Sequence, residues 1–133
     1  MNLYLDASAL VKRYVEEPGS DIVRDAMDRA EGWFMCRIGF VETVRAVGLV
    51  VGHTAARAVE REWPAFAIVE VDQRLVRDAA ELAIERRLRS LDALHLAAAL
   101  ALPQDELLLA TWDRRLHSAG TSEGIRLLPE TLG

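Results

Sequence analysis

The sequence predicts an α/β fold, a parallel β-sheet of about five strands flanked by helices on both faces. Short apolar runs alternate with longer segments of helical periodicity along the whole chain, which is typical of strand–helix–strand units. The first run, Leu3-Tyr4-Leu5, contains no charged residue, as expected of a parallel strand covered on both faces. Since 51% of the 133 residues are hydrophobic, the chain can form its own core, and we expect one domain over residues 1–133.

The first half of the chain predicts two strands and four helices. We expect a strand over residues 3–5, helices over 7–17 and 21–31, a strand over 33–36 and a helix over 38–51. The first helix ends before Pro18-Gly19, because proline and glycine interrupt helical structure. A further helix over 54–63 ends at Pro64.

The second half continues the alternation. A strand rich in β-branched residues is expected over 67–71, and Asp72 is expected to cap a helix over 73–87. Ser90 is expected to cap a very apolar helix over 91–102, which ends at a turn over 103–105. A strong strand over 107–111, a short helix to about residue 119 and a last strand near 125–128 complete the expected fold.

Charge and cysteine content exclude several classes of protein. The formal net charge is −5, so no basic field over the whole domain indicates nucleic-acid binding. All basic residues except Lys12 are arginines, and local arginine clusters can still grip phosphates. The single cysteine, Cys36, excludes an intrachain disulfide. Because no apolar stretch reaches the ~18 residues of a membrane span and no signal-peptide pattern precedes Asp6, we expect a cytoplasmic protein without membrane contact.

Four carboxylates occupy unusually apolar settings. Asp6 ends the first strand, and Asp113 follows the 107–111 strand within two residues. Asp92 lies in the first turn of a helix rich in Ala and Leu, and Glu42 lies about one turn into another helix. Because ligands of open α/β sheets bind at the carboxyl ends of the strands, we expect the four side chains to meet at one edge. Close carboxylates repel one another unless a cation neutralises them, and oxygen ligands favour Mg²⁺ or Mn²⁺.

Each carboxylate also has a purely structural explanation. Asp6 and Asp113 are suited to cap the helices that follow them. Asp92 gains from the helix dipole at its position near a helix start. Glu42 is spaced to pair with Arg45 on a solvated helix face. The sequence alone leaves these explanations open for any one residue, and the metal-site hypothesis rests on the four acids together.

Uncharged and weakly basic side chains near the acids have their own interpretations. Ser8 and Thr111 place hydroxyls at strand ends, where they can orient a carboxylate or a metal-bound water. His95 lies one helical turn from Asp92 on the same side of the helix, and we interpret it as a hydrogen-bonded core residue. Cys36 follows an apolar strand and is interpreted as core packing.

Four short motifs resemble those of PIN-domain ribonucleases. They are Leu5-Asp6-Ala7-Ser8-Ala9-Leu10, Glu42-Thr43-Val44-Arg45-Ala46, Leu91-Asp92-Ala93-Leu94-His95-Leu96-Ala97 and Thr111-Trp112-Asp113-Arg114-Arg115-Leu116. The resemblance covers nearly the whole chain, from Asn2 to about Pro129, and the motifs occur in the family's order and spacing. Within the family, the size resembles VapC-type toxins of bacterial toxin–antitoxin pairs. One position departs, since Cys36-Arg37 stand where the family often has Ser or Thr before the glutamate-bearing helix.

The resemblance implies a small parallel α/β fold with Mg²⁺- or Mn²⁺-dependent endoribonuclease activity. It also implies a homodimer and inhibition by a small cognate antitoxin. The family's acidic residues fall on Asp6, Glu42, Asp92 and Asp113, with Ser8 and Thr111 as hydroxyl neighbours. We interpret the three aspartates as metal ligands, and Glu42 as a ligand or as the base that activates water.

Arginine clusters flank the acids in the sequence. Arg86, Arg87 and Arg89 precede the third acid, and Arg114 and Arg115 directly follow the fourth. These side chains are candidates to bind RNA phosphates, and ordinary solvated helix arginines are the alternative.

Three other functions remain open. A phosphatase with an aspartyl nucleophile also begins with an Asp after its first strand, but a second acid is expected two residues on, where Ser8 stands. A phospho-receiver domain requires a lysine after a late strand, whereas the only lysine is Lys12. A non-catalytic binding module with a PIN-like fold would not need the complete set of acids.

Overall fold

Five parallel strands form one sheet in the order β3-β2-β1-β4-β5 in the computed structural model, which describes residues 1–132. The strands are β1 (Asn2–Leu5), β2 (Gly32–Cys36), β3 (Ala67–Val69), β4 (Leu107–Ala110) and β5 (Arg126–Leu128). Because β1 is central and the chain moves first to one side of it and then to the other, the strand order reverses between β1 and β4. The predicted parallel sheet of five strands is confirmed.

Seven α-helices connect and flank the strands. They are α1 (Ala7–Tyr14), α2 (Ser20–Arg29), α3 (Gly39–Val50), α4 (His53–Glu62), α5 (Gln73–Arg86), α6 (Ser90–Leu100) and α7 (Arg114–Ser122), and a short 3-10 helix (Trp63–Ala65) follows α4. Within residues 1–132, none of these helices is both long and apolar enough to cross a membrane.

The sheet separates two apolar layers. Leu3 and Leu5 of β1 face α1 and α2, where they pack with Leu10 and Met27. Tyr4, between them, faces the opposite layer with the apolar residues of α5, α6 and α7. All three β1 residues are fully buried, as predicted for a strand covered on both faces. The alternation of the strand therefore directs Tyr4 alone toward the layer of α6.

Several element boundaries differ from the prediction. Helix α1 ends at Tyr14 rather than at residue 17, because Val15 is extended and the Lys12 ammonium donates to the Glu17 carboxylate and the Pro18 carbonyl. These contacts form a loop in place of the last helical turn. At the other end of the chain, α7 continues to Ser122, one turn beyond the predicted residue 119.

The assignment of Ser90 as a helix cap is wrong. Ser90 is the first residue of α6, and the extended Arg89 takes the cap position without a side-chain hydrogen bond to the helix. The cap predicted at Asp72 is confirmed, since its Oδ1 accepts a hydrogen bond from the Leu75 amide at 2.9 Å. Strand β3 ends at Val69, two residues earlier than predicted, and leaves room for this cap.

Close packing of α3 on β2 depends on a glycine. A Cβ atom at Gly39, the first residue of α3, would clash with the Met35 Sδ atom and lie 2.8 Å from the Met35 Cγ atom. Met35 is fully buried in β2, so its side chain can move away only by displacing other core atoms. In contrast, a Cβ atom at Gly48 in the same helix would meet Ala56 at an ordinary 3.6 Å.

Gly39→Ala and Gly48→Ala are therefore expected to change stability in opposite directions. Gly39→Ala overpacks the contact with Met35 and should lower the free energy of unfolding by about 1–3 kcal/mol. Gly48→Ala lowers the backbone entropy of the unfolded chain and should raise the free energy of unfolding by about 0.5–1 kcal/mol. Urea denaturation of both variants measures the difference, and a stabilised Gly39→Ala protein would contradict the packing argument.

Candidate active site

The reversal of strand order puts two polar strand ends side by side. Leu5 of β1 pairs with Ala110 of β4, so Asp6 and Thr111, the next residues along each strand, emerge together at the carboxyl edge. The Asp6 amide donates to the Ala110 carbonyl at 3.2 Å and continues the ladder to this point. This crevice is the usual ligand position of an open parallel sheet.

The Asp6 carboxylate is buried and held by three donors. Its Oδ1 accepts hydrogen bonds from the Ser8 hydroxyl at 2.7 Å and the Ala9 amide at 2.9 Å, and its Oδ2 accepts one from the Thr111 hydroxyl at 2.5 Å. Asp6 thus caps α1 as well as lying at the candidate site. Burial raises the pKa of Asp6 above its ordinary value, against these hydrogen bonds, which lower it.

The loop after β4 is tied to the same carboxylate. The Ser8 hydroxyl oxygen accepts a hydrogen bond from the Trp112 amide at 2.9 Å, and the Thr111 hydroxyl oxygen accepts one from the Asp113 amide at 3.1 Å. Asp113 in turn caps α7, because its Oδ1 accepts from the Leu116 amide at 2.9 Å. Ser8 and Thr111 therefore set the positions of both strand-end aspartates.

Asp92 lies in the electrostatic field of the other acids. Burial, followed by repulsion from Asp113, Asp6 and Glu42, raises the pKa of Asp92 from 3.8 to about 6. Asp92 is therefore within electrostatic range of the other three candidate acids.

Glu42 bonds to a histidine rather than to the arginine one turn away. The Glu42 Oε1 atom lies 2.6 Å from the His95 Nε2 atom, and the His95 Nδ1 atom lies 2.7 Å from the Tyr4 hydroxyl. The predicted pairing of Glu42 with Arg45 is absent from the salt bridges of residues 1–132. His95 is a buried, hydrogen-bonded core residue, as interpreted from the sequence, and it also contacts a candidate catalytic acid.

Four of the five candidate RNA-binding arginines line one cleft. Arg86 and Arg87 at the end of α5 face Arg114 and Arg115 at the start of α7 across a space of about 760 Å³. Arg86 is paired with Glu123 at 2.7 Å. Asp113 directly precedes the two arginines of α7 in the chain. Arg89, the residue before α6, does not line this cleft.

The candidate acids do not form a closed set of ligands around one ion among residues 1–132. In the part of the chain that the structure describes, no three His, Cys, Asp or Glu side chains are arranged to ligate one ion. Mg²⁺ is commonly bound through one or two carboxylates, with water and substrate phosphate completing its shell. A closed protein cage is therefore not required for a magnesium site, and the all-oxygen donor set has the chemistry that such an ion prefers.

Two residues with clear structural roles at the site were not assigned from the sequence. Tyr4 is a hydroxyl-bearing side chain in a central aliphatic strand, and a buried tyrosine hydroxyl almost always requires a partner. The need for such a partner was the signal in the sequence that could have identified Tyr4 as a residue of the site. Lys12 lies 4.9 Å from the centre of the Trp112 ring and links the loop after α1 to the residue before Asp113. No local pattern marks this contact, since it joins distant segments.

The chain belongs to the PIN domain family, whose model matches residues 3–121. Ribonuclease VapC45 of Mycobacterium tuberculosis is 33% identical over 139 aligned positions, covering 98% of this chain and 96% of that protein. Among solved structures, VapC20 of M. tuberculosis, described as a toxin that cleaves the sarcin-ricin loop, has a TM-score of 0.76 at 17% identity and covers 89% and 95% of the two chains. The VapBC-1 structure from nontypeable Haemophilus influenzae has a TM-score of 0.68 at 14% identity, with 96% of each chain covered.

Removing the charge of Asp92 is expected to stabilise the metal-free protein at neutral pH. The rise in pKa from 3.8 to about 6 corresponds to at most about 3 kcal/mol, and solvent screening at a half-buried carboxyl reduces this to about 1 kcal/mol. Because the pKa of Asp92 is higher in the folded protein than in the unfolded chain, the stability of the fold is not reduced by Asp92 below pH 3.8. This stability is lost as the pH rises through about 6 and the carboxyl ionises.

The stability advantage of Asp92→Asn should therefore be absent near pH 3.5, grow across this window and level off above it. Thermal and urea unfolding in EDTA measure the difference between variant and parent. Asp78→Asn, an exposed change on α5 with the same effect on net charge, is the control. A clear destabilisation by Asp92→Asn at pH 7 would favour the helix-dipole explanation of this residue.

Proposed function

We propose that this protein is a divalent-metal-dependent endoribonuclease and the toxin of a toxin–antitoxin pair. The observation that carries the proposal is the setting of Asp92 at the start of α6, where burial, followed by repulsion from Asp113, Asp6 and Glu42, raises its pKa to about 6. Such a cluster costs stability unless it serves to bind a cation. Membership of the PIN domain family and similarity to proteins named ribonuclease VapC support the same function.

Asp6, Asp92 and Asp113 are the proposed ligands of Mg²⁺ or Mn²⁺. When bound, such an ion lowers the pKa of a coordinated water and neutralises charge on a phosphate oxygen. The protein's part is to hold the ligands. Asp6 is fixed by Ser8 and Thr111, and Asp113 by its position as the cap of α7. Asp92 lies at the start of α6, a helix packed against α5 and β2.

Glu42 is the proposed base. Hydrolysis of a phosphodiester requires a water that loses a proton while it attacks phosphorus in line with the leaving oxygen. His95 contacts Glu42 through Oε1, so Oε2 is the atom proposed to accept this proton. The side chain of Glu42 is 26% exposed and can therefore meet solvent and substrate.

The arginine cleft is the proposed path of the RNA backbone. Arg87 and Arg115 have no carboxylate partner within salt-bridge distance among residues 1–132, whereas Arg86 is paired with Glu123. Guanidinium groups bind phosphates through two parallel hydrogen bonds, which positions a strand without reading its sequence. Because Arg114 and Arg115 directly follow Asp113, we propose that a strand held in the cleft continues toward the acids.

An aspartyl-nucleophile phosphatase fits the same site less well. Such an enzyme also begins with an aspartate after its first strand, as Asp6 does here. It requires a second acid two residues further on, and Ser8, whose hydroxyl donates to Asp6, stands at that position.

A small antitoxin is the proposed protein partner, and a homodimer in the cytoplasm the proposed state. The structural neighbours include the VapBC-1 complex of nontypeable Haemophilus influenzae, which supports a protein partner for this chain. An arginine-bearing segment of the partner would pair with the carboxylates of Asp6, Asp92 and Asp113, because a guanidinium fork matches carboxylate oxygens. Such a segment would compete with the metal as well as exclude the RNA.

RNA cleavage is expected to require both the metal and the acids. Asp92→Asn and Asp113→Asn should lower kcat for a fluorescent single-stranded RNA by about 100-fold or more, since each removes a ligand charge. Asp6→Asn should do the same, although the new amide cannot accept the Thr111 hydrogen bond, so its folding must be checked by circular dichroism. Excess EDTA should stop cleavage, and Mg²⁺ or Mn²⁺ should restore it. Full activity in EDTA would overturn the metal assignment, and no cleavage by the wild type would favour a non-catalytic binding module.

Arg87→Ala and Arg115→Ala are expected to weaken RNA binding with little change in kcat. Each lost phosphate contact should reduce the slope of log Kd against log salt concentration by about 0.7 for a single strand. Binding is measured by fluorescence anisotropy at several salt concentrations, using the Asp92→Asn protein to prevent cleavage. Arg57→Ala, an exposed arginine on α4, serves as the control. Equal weakening by all three variants would show that general charge, rather than the cleft, binds the RNA.

A further inference from the structure

A chain of hydrogen bonds runs from the sheet to the candidate base. The backbone amide of Cys36, at the end of β2, donates to the Tyr4 hydroxyl oxygen at 3.0 Å. The Tyr4 hydroxyl lies 2.7 Å from the His95 Nδ1 atom, and the His95 Nε2 atom lies 2.6 Å from the Glu42 Oε1 atom. The chain thus crosses β2, β1, α6 and α3, and every link except the last is buried.

The directions of these hydrogen bonds follow from the first donor. The Cys36 amide can only donate, so the Tyr4 oxygen accepts there and must direct its own proton elsewhere. Tyr4 is fully buried, and the His95 Nδ1 atom is the acceptor within reach. Burial also raises the pKa of Tyr4 well above its ordinary value, so the hydroxyl keeps this proton. The His95 Nδ1 atom therefore accepts, and the Nε2–H group donates to Glu42.

His95 is well suited to hold another side chain still. It is 1% exposed, and its ring meets the Tyr4 ring edge-on at a centroid distance of 5.8 Å. Glu42 is partly exposed and has three rotatable side-chain bonds, whose ordering costs up to about 2 kcal/mol. A fixed donor on Oε1 orders the carboxylate before substrate arrives and leaves Oε2 outside this hydrogen bond.

We propose that Tyr4 and His95 are positioning residues that orient Glu42 for proton abstraction through a one-directional hydrogen-bond chain beginning at the Cys36 amide. The proposal rests on the proposed function of Glu42 as the base. The competing view is that His95 is only a satisfied core residue. In that view its replacement lowers stability but leaves the activity of each folded molecule unchanged.

The tautomer of His95 can be tested without RNA or metal. Long-range ¹H–¹⁵N NMR of the wild-type protein distinguishes a protonated Nε2 with an unprotonated Nδ1 from the reverse tautomer, and His95→Gln assigns the resonance among the three histidines. We expect the Nε2–H form, and a change in the Nε2 resonance in Glu42→Gln but not in Glu85→Gln, an exposed glutamate on α5. An Nδ1–H form, or no response to Glu42→Gln, would contradict the proposed chain of hydrogen bonds.

The kcat for RNA cleavage then tests whether the hydrogen-bond chain contributes to the reaction. His95→Leu is expected to lower kcat by about 10–100-fold with KM changed less than twofold, as for other residues that orient a reacting group. His95→Gln, which retains a donor toward Glu42, should recover most of the loss, and Tyr4→Phe should give an intermediate kcat. All rates are normalised to the folded fraction found by thermal unfolding.

The double variant with Glu42→Gln separates positioning from structure. If His95 acts through Glu42, His95→Leu should have no further effect on kcat once Glu42 is replaced. An equal fold-loss in both backgrounds would overturn the proposal. If the wild type does not cleave RNA, the proposed function fails, and the NMR experiment still decides whether the chain exists.

Discussion

The buried carboxylate of Asp6 is the constraint on which the rest of the site depends. A charge at this depth is tolerated only when its oxygens are hydrogen-bonded, and the three donors come from two distant parts of the chain. Ser8 and the Ala9 amide belong to the first turn of α1, and Thr111 follows β4. Satisfying one carboxylate therefore aligns β1, α1 and β4, and through Thr111 it also sets the start of α7.

The site combines an acidic centre with a basic border, although the chain as a whole is acidic. The two regions share one helix start, since Asp113 caps α7 and Arg114 and Arg115 begin it. Net charge is thus a poor guide to the ligand of this protein, because binding depends on where the charges lie. A cation at the acids would invert the local field and remove the apparent conflict between an acidic protein and a polyanionic substrate.

The order and type of the elements could be predicted because they depend on local patterns. Alternating apolar runs and helical periodicity identified all five strands, and positions just after β1 and β4 suggested Asp6 and Asp113 as candidate site residues. The partners of the side chains could not be predicted in the same way. Glu42 bonds to His95, 53 residues away, in preference to the nearby Arg45.

The predicted helix ends were wrong for the same reason, because they depend on contacts that a local pattern does not contain. The last turn expected in α1 is replaced by contacts of Lys12 with Glu17 and Pro18. The helix expected to begin after Ser90 begins one residue earlier, because the backbone of Arg89 is already extended. Tyr4 was missed because its partner, His95, is distant in sequence, although the need of a buried hydroxyl for a partner is a general rule.

The alternation of β1 has a consequence for how such chains diverge. Tyr4 packs in the layer of α6, Leu5 packs in the layer of α1, and Asp6 lies at the carboxyl edge of the sheet. Three consecutive residues therefore contact three different parts of the molecule. Inserting or deleting one residue within β1 would exchange the two faces and remove both Tyr4 and Asp6 from their partners. The turn over residues 103–105 carries no such requirement. Relatives that keep this chemistry should thus vary in length at such turns and keep an unbroken spacing across Leu3–Asp6.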